Sequence, residues 1–301
     1  MKNIFFALIT SLIISATINA QNWMTSFDVA KRLALVQNKM LLMVWEDPTY
    51  DYYPVYLNHK DGYNVIVEDI FDNPEIIEYL QEYFVLVIVN EYQYDDWYNS
   101  IKDIYGSTYL EKFNDNSLKV VDVNGVIINT NNVYYEGVQN LSKIIENYAL
   151  NTKYLSNDFT NYLNESNYYS AIKLAEKYSD FAVFSNAKIR RELLNMSENY
   201  LNITKNHIKK SDASVKNIIN QKCELLALNN DLVLNKAGRV IRKLKKMDAS
   251  SIDKSNMDLF NFLHYTANYL KQDQEGIEVW QSKISSLFLK KAQAIINLNS
   301  K

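Results

Sequence analysis

"LLMVWEDPTYDYYPVY", Leu41 to Tyr56, decides how the chain is read. Met40–Trp45 is an unbroken apolar run, the pattern of a strand buried on both faces of a helix-covered sheet. Asp47-Pro48 ends it, because proline has no N–H to give a ladder. A loop and then a helix are expected to follow. The junction itself carries aspartates and tyrosines and no cysteine.

Upstream, Ser26 precedes Phe27, Val29, Ala30, Leu33, Ala34 and Val36 at helical spacing, with Asn38-Lys39 as the stop. Downstream, Val65–Phe71 leads to Asn73-Pro74-Glu75, a helix start with proline in its first turn. Phe84–Val89 is a second buried-type strand, and Asp95-Asp96 opens a helix ending near Gly106. Leu118–Val123 is a third strand, Asn124-Gly125 a hairpin turn, and Val126–Thr130 its return arm. Leu141–Leu150 closes the unit as a helix. The order α-β-α-β-α-β-β-α predicts a mixed sheet covered on both faces.

This order over about residues 23–150 resembles the thioredoxin-like family. "SFDVAKRLALVQNKMLLMVW" after Trp23 is similar to that family's Trp, helix, lysine and first strand. "DIFDNPEIIEYLQEYFVLVIVN" is similar to its helix feeding the second strand, and "LKVVDVNGVIIN" to its strand, Asp-x-x-Gly turn and returning strand. The resemblance implies a Cys-x-x-Cys pair at Asp47–Pro54 and a cis-proline near Asn116-Ser117, and this chain has neither. A dithiol cycle needs an attacking and a resolving thiol. Cys223 is the only cysteine, it falls in a helical pattern, and it is expected to be a small buried apolar residue. The chain is therefore expected to be a redox-dead, non-catalytic member of that fold.

Other chemistry in the loop is limited. Glu46, Asp47 and Asp51 could share acid–base or metal work, as an enzyme of unrecognised type built on the Asp47–Asp51 loop would require. The spacing lacks the pattern of a calcium loop, and a lone His59 makes no zinc site. No G-x-S-x-G, G-x-G-x-x-G or P-loop occurs, and no cofactor is expected. Tyr50, Tyr52, Tyr53 and Tyr56 are the candidate protein-binding residues, since each offers a rigid apolar body with one polar tip. The competing expectation is that the same rings pack on their own domain.

Residues 1–20 have the form of a secretory signal peptide: Lys2, an apolar core over Ile4–Ile14, and a small residue at Ala20. That predicts export, with a periplasmic or extracellular mature chain. No later run approaches the ~20 apolar residues of a membrane span. The formal net charge of −3 hides a net of −12 over residues 21–150 and +8 over 151–301. Such opposite charges can mark an interaction surface or draw the two halves together. The basic residues are scattered along helices without interleaved stacking aromatics, so nucleic acid is not an expected partner.

Residues 151–301 read as all-α: Phe159–Leu163, Tyr168–Tyr178, Ala187–Ile208, Val215–Leu228, Lys236–Met247, Met257–Leu270 and Ile277–Ile296. The segments starting at Leu163, Leu228 and Leu270 each give a helix end, a polar turn and a helix with an early small residue, Ala171, Ala237 or Gly276. They resemble tetratricopeptide helix-turn-helix units, with an irregular bundle as the alternative. Together these features predict a signal peptide (1–20), a thioredoxin-like α/β domain (21–150) and a helical domain (151–301). The expected work is protein binding, as an adaptor or chaperone-like subunit of a bacterial envelope.

Overall fold

The computed structural model describes residues 23–130, 134–135 and 138–300; the signal-peptide segment lies outside the described residues. The first helix, α1 (Phe27–Gln37), buries Phe27, Ala30 and Ala34 and ends at Asn38, whose φ of 54° reverses the chain. Strand β1 (Met40–Trp45) follows, buried at every residue.

The helix expected after the loop is absent. Asp47–Tyr50 makes one 3₁₀ turn, and Pro54 then leads into a hairpin of β2 (Val55–Asn58) and β3 (Asn64–Val67). The residues favour this outcome. Val55, Tyr56, Leu57, Val65, Ile66 and Val67 are β-branched, aromatic or leucine, and Asp61-Gly62 supplies the turn, with Gly62 at φ 90°.

Next come α2 (Pro74–Tyr83), capped by the Asn73 side chain accepting from Ile76 N–H, then β4 (Phe84–Val89), α3 (Tyr94–Ile101) and α4 (Ser107–Asn114). Strand β5 (Lys119–Val121) is the third strand of the first sheet. Short strands β6 (Tyr134–Tyr135) and β7 (Val138–Asn140) precede α5 (Leu141–Tyr148). Among the described residues the strands form two sheets instead of one, ordered β4-β1-β5 and β3-β2-β7-β6. In the first, β1 is central. β4 runs parallel to it, Met40 opposite Phe84 through Trp45 opposite Val89, and β5 runs antiparallel, Leu41 opposite Val121. Residues 126–130 return beside β5 through one bridge, Val121 to Ile127. Asn129 finishes the pairing with its side chain: Val120 N–H donates to its Oδ1 at 2.6 Å, and its Nδ2 donates to Leu118 O at 3.1 Å.

The remainder is helical: α6 (Ser156–Asn164), α7 (Tyr168–Phe184), α8 (Ala187–His207), α9 (Ala213–Val233), α10 (Ala237–Leu244), α11 (Met257–Leu270), α12 (Gln274–Gln281) and α13 (Ser286–Asn299). The helix expected over Ile277–Ile296 is two, broken before Ser285, which caps the second half. Successive helices pack on one another, α7 on α8 and α11 on both α12 and α13. Ala171 and Ala237 are buried, and a Cβ at Gly276 would stand 2.6 Å from Asn268 Cγ, so the early small residues are contact points. An α/β region thus precedes a helical region. No helix among the described residues is long and apolar enough to cross a membrane.

The two regions meet on a buried carboxylate. Asp122, in the turn after β5, is fully buried. Its Oδ1 accepts from Asn124 N–H (2.9 Å) and Val126 N–H (3.0 Å). Its Oδ2 accepts from the hydroxyls of Tyr178 on α7 (2.9 Å) and Tyr200 on α8 (2.7 Å), whose rings stack 5.6 Å apart. Asn124 Nδ2 donates to Tyr200 Oη at 2.8 Å. Lys188 and Glu146 form an ion pair across the same joint, with both side chains more than half exposed. The centre of the joint is therefore a hydrogen-bonded carboxylate between two tyrosines, and the opposite net charges of the two halves are not what fills it.

Candidate protein-recognition edge

β1 and β4 run parallel and end together, so the loops that leave them share one edge of the sheet, where ligands of open α/β sheets commonly bind. Their ends are tied: Glu46 N–H donates to Val89 O at 3.0 Å, Asp47 N–H to Glu91 Oε1 at 2.8 Å, and Asn90 Nδ2 to Glu46 Oε2. Thr49 Oγ1 donates back to Glu46 O at 2.7 Å, fixing the 3₁₀ turn. The Tyr50 hydroxyl bonds to the Glu46 carboxylate, which holds its pKa above the usual phenol range. An aromatic cluster forms at the end of β1: Trp45 donates Nε1–H to Phe113 O at 2.8 Å and meets Tyr94, Trp97 and Phe113 edge to face.

The structure separates the four candidate tyrosines. Tyr50 and Tyr52 are 74% and 83% exposed, and Tyr92, one residue beyond Glu91, is 93% exposed. Tyr92 is not among the residues expected from the sequence; the signal for it is the loop after the second parallel strand, which lands beside the first. Tyr53 is an anchor. Its hydroxyl donates to Gln139 Oε1 (2.8 Å), with Asn116 O as an alternative acceptor at 3.1 Å, and its ring packs on Phe71 at 5.5 Å. Tyr56 is half-buried on β2, opposite Ile66. The cluster is divided: Tyr50 and Tyr52 face solvent, whereas Tyr53 and Tyr56 pack on their own region.

The segment that receives Tyr53 is itself held by two buried lysines. Gln139 Oε1 also accepts from Leu118 N–H at 2.8 Å. Lys119 Nζ donates to Ser117 O (3.0 Å) and pairs with Asp115 Oδ1 (3.2 Å). Lys112 Nζ donates to Ser117 Oγ. Burial pushes Lys112 down to about 7 and Lys119 down to about 8, against the pull of Asp115. Lys112 and Ser117 are 2% and 6% exposed, with the Asp115 side chain half-buried beside them, and the cluster forms the base of the loop.

Asp47 and Asp51 of the candidate acidic loop stand at opposite ends of the 3₁₀ turn. Among the described residues, no three His, Cys, Asp or Glu side chains gather as a metal site requires. His59 lies in the β2–β3 turn, where its Nδ1 meets Asp61 at 3.2 Å and its ring stacks on Tyr63. Cys223 is fully buried on α9, and burial pushes its thiol up to about 11. In the helical region a cleft of about 580 Å³ lies between α7, α9, α11 and α13, with Glu176 bridging Lys222 (2.7 Å) and Lys173 (3.0 Å) inside it.

Comparison with protein-family models, curated proteins and solved structures finds no match to this chain.

Proposed function

We propose that this is an exported, non-catalytic binding protein whose recognition surface is the edge carrying Tyr50, Tyr52 and Tyr92. One observation carries the reading: Tyr50, Tyr52 and Tyr92 are 74%, 83% and 93% exposed in the loops that leave the adjacent ends of β1 and β4, loops that also carry Glu46, Asp47 and Glu91. Tyrosine loses little side-chain freedom on docking and is favoured at interfaces. Carboxylates around it, in a half of net charge −12, suit a basic segment of a protein partner. The setting proposed is a bacterial envelope, periplasmic or extracellular after loss of residues 1–20, with an adaptor or chaperone-like role.

The α/β region is proposed to be thioredoxin-like. A central β1 with a parallel neighbour and an antiparallel one supports this, as does the Asp122–Gly125 turn that follows β5. The 3₁₀ turn and hairpin, set where a redox helix would start, fit a site given over to binding. Buried small residues at helix crossings support tetratricopeptide-like units in the second half.

A photo-crosslinking residue at position 52 or 92 tests the proposal in the native envelope. It should give adducts of one discrete mass, absent when the same residue replaces exposed Val36 on α1. No adduct at either site, or equal adducts from position 36, would refute it. Turnover of any compound that is lost on Asp47→Asn would instead favour an enzyme built on this loop.

A further inference from the structure

The β2–β3 hairpin presents a second surface of different character. β3 pairs with β2 on one side, and among the described residues no strand occupies the other. His59 N–H donates to Tyr63 O at 2.7 Å, so residues 59 and 63 face each other as a hydrogen-bonded pair. Alternation along an antiparallel ladder then makes Leu57 with Val65, and Val55 with Val67, hydrogen-bonded pairs as well. The N–H and C=O groups of Asn64 and Ile66 consequently point outward, along the unpaired edge. Tyr63, Val65 and Ile66 are 55%, 40% and 52% exposed, on both faces of the ribbon. From Gly62 to Val67 there is no charge and no proline. Natural edge strands usually carry a lysine, a proline or a bulge that blocks pairing, and an apolar edge without one is a template for another strand.

We propose that β3 pairs edge to edge with β3 of a second copy of this chain, antiparallel about a two-fold axis, joining two four-stranded sheets into one. Charge selects the occupant and the direction. The strand is preceded by Lys60 and followed by Glu68, Asp69 and Asp72, while Asp61 faces His59. Antiparallel pairing sets Lys60 of each copy toward the acidic flank of the other, twice by symmetry; parallel pairing would set acid against acid. The contact closes after two copies because β2 fills the other side of β3. The dimer would carry two Tyr50–Tyr52 loops and bind a multivalent partner with avidity.

Sedimentation equilibrium of the mature chain, loaded up to about 0.1 mM, reads the assembly directly. The expected result is a dimer that Ile66→Lys converts to monomer without change in the far-ultraviolet circular dichroism spectrum. Lys60→Glu should weaken the dimer several-fold, and Lys60→Glu combined with Glu68→Lys and Asp69→Lys should restore it, a pattern that does not depend on how Ile66→Lys folds. The Tyr50→Ser/Tyr52→Ser chain should remain dimeric. A monomeric wild type, or a dimer indifferent to both Ile66→Lys and Lys60→Glu, would overturn the proposal.

Discussion

Replacing Asp122 with alanine tests whether the joint between the two regions is held as described. The substitution removes both acceptor oxygens at once and leaves four donors without them: the half-buried Asn124 N–H and three buried ones, Val126 N–H and the hydroxyls of Tyr178 and Tyr200. An orphaned buried donor costs about 1–3 kcal/mol. Against this, burial pushes the Asp122 pKa above the ordinary carboxylate value despite its four donors, so loss of the charge relieves part of the cost. Destabilisation of about 3–5 kcal/mol is expected, the usual range when a buried polar network loses one partner. Asp122→Asn keeps one acceptor oxygen and carries no charge to desolvate, so it should cost no more than about half as much. Urea unfolding in a Trp280→Phe background, followed by tryptophan fluorescence, which then reports Trp23, Trp45 and Trp97 of the α/β region, and by circular dichroism at 222 nm, dominated by the helical region, measures both variants. Wild type should give coincident transitions, and Asp122→Ala should separate them or lower both midpoints together. An alanine variant within about 1 kcal/mol of wild type, or one more stable than the asparagine variant, would refute the reasoning.

Both buried lysines have folded-state values below their ordinary 10.5, at about 7 for Lys112 and about 8 for Lys119. Their contribution is thus fully present above 10.5 and is lost as pH falls toward those values. Stability should rise by up to about 1.4 kcal/mol per pH unit per lysine in that window; Lys112→Met should flatten the rise between pH 7 and about 8, below the ionisation of the unfolded chain's cysteine and tyrosines, and an unchanged slope would exclude the burial argument. Cys223 should resist thiol reagents at pH 8 until the chain is unfolded, and the protein should not accelerate insulin reduction; rapid labelling of the native chain, or reductase activity abolished by Cys223→Ser, would contradict its placement on α9. Gly276→Ala should destabilise by about 1–3 kcal/mol because its Cβ would meet Asn268, whereas Gly238→Ala on α10, with open space around it, should be neutral or stabilising by up to about 1 kcal/mol; equal melting temperatures for the two variants would count against close packing of α11 on α12.

The strongest local signals in the sequence correspond to the elements formed. Met40–Trp45 and Phe84–Val89 are strands to the residue because both faces are covered and every position is apolar. Met257–Leu270 is a helix with the expected ends. The failures were of another kind. The β2–β3 hairpin is weakly marked because its turn, His59–Gly62, is polar and the strands are short, and Asp61-Gly62 between β-branched runs is the signal it offers. The second sheet depends on β2 pairing with β7 about 80 residues away, and no local pattern specifies such a partner. Division of the tyrosines into exposed Tyr50 and Tyr52 and anchored Tyr53 turns on where the Gln139 side chain lies, which is a tertiary fact. Lys112 and Lys119 look in sequence like ordinary surface lysines. Their burial follows from the loop they support.

The central claim is that exposed and anchored tyrosines have separable roles, and one preparation of each of two variants measures it. Tyr50→Ser/Tyr52→Ser/Tyr92→Ser and Tyr53→Ser are compared with wild type by melting temperature and by binding to the partner that photo-crosslinking identifies. The triple variant should lose at least about 2 kcal/mol of binding, a thirtyfold or greater rise in Kd, while its melting temperature stays within about 2 °C of wild type. Tyr53→Ser should lower the melting temperature markedly and retain binding at low temperature in proportion to its folded fraction. A triple variant that melts early but binds with wild-type affinity when folded would contradict the account, and the recognition surface would then have to lie elsewhere on the molecule.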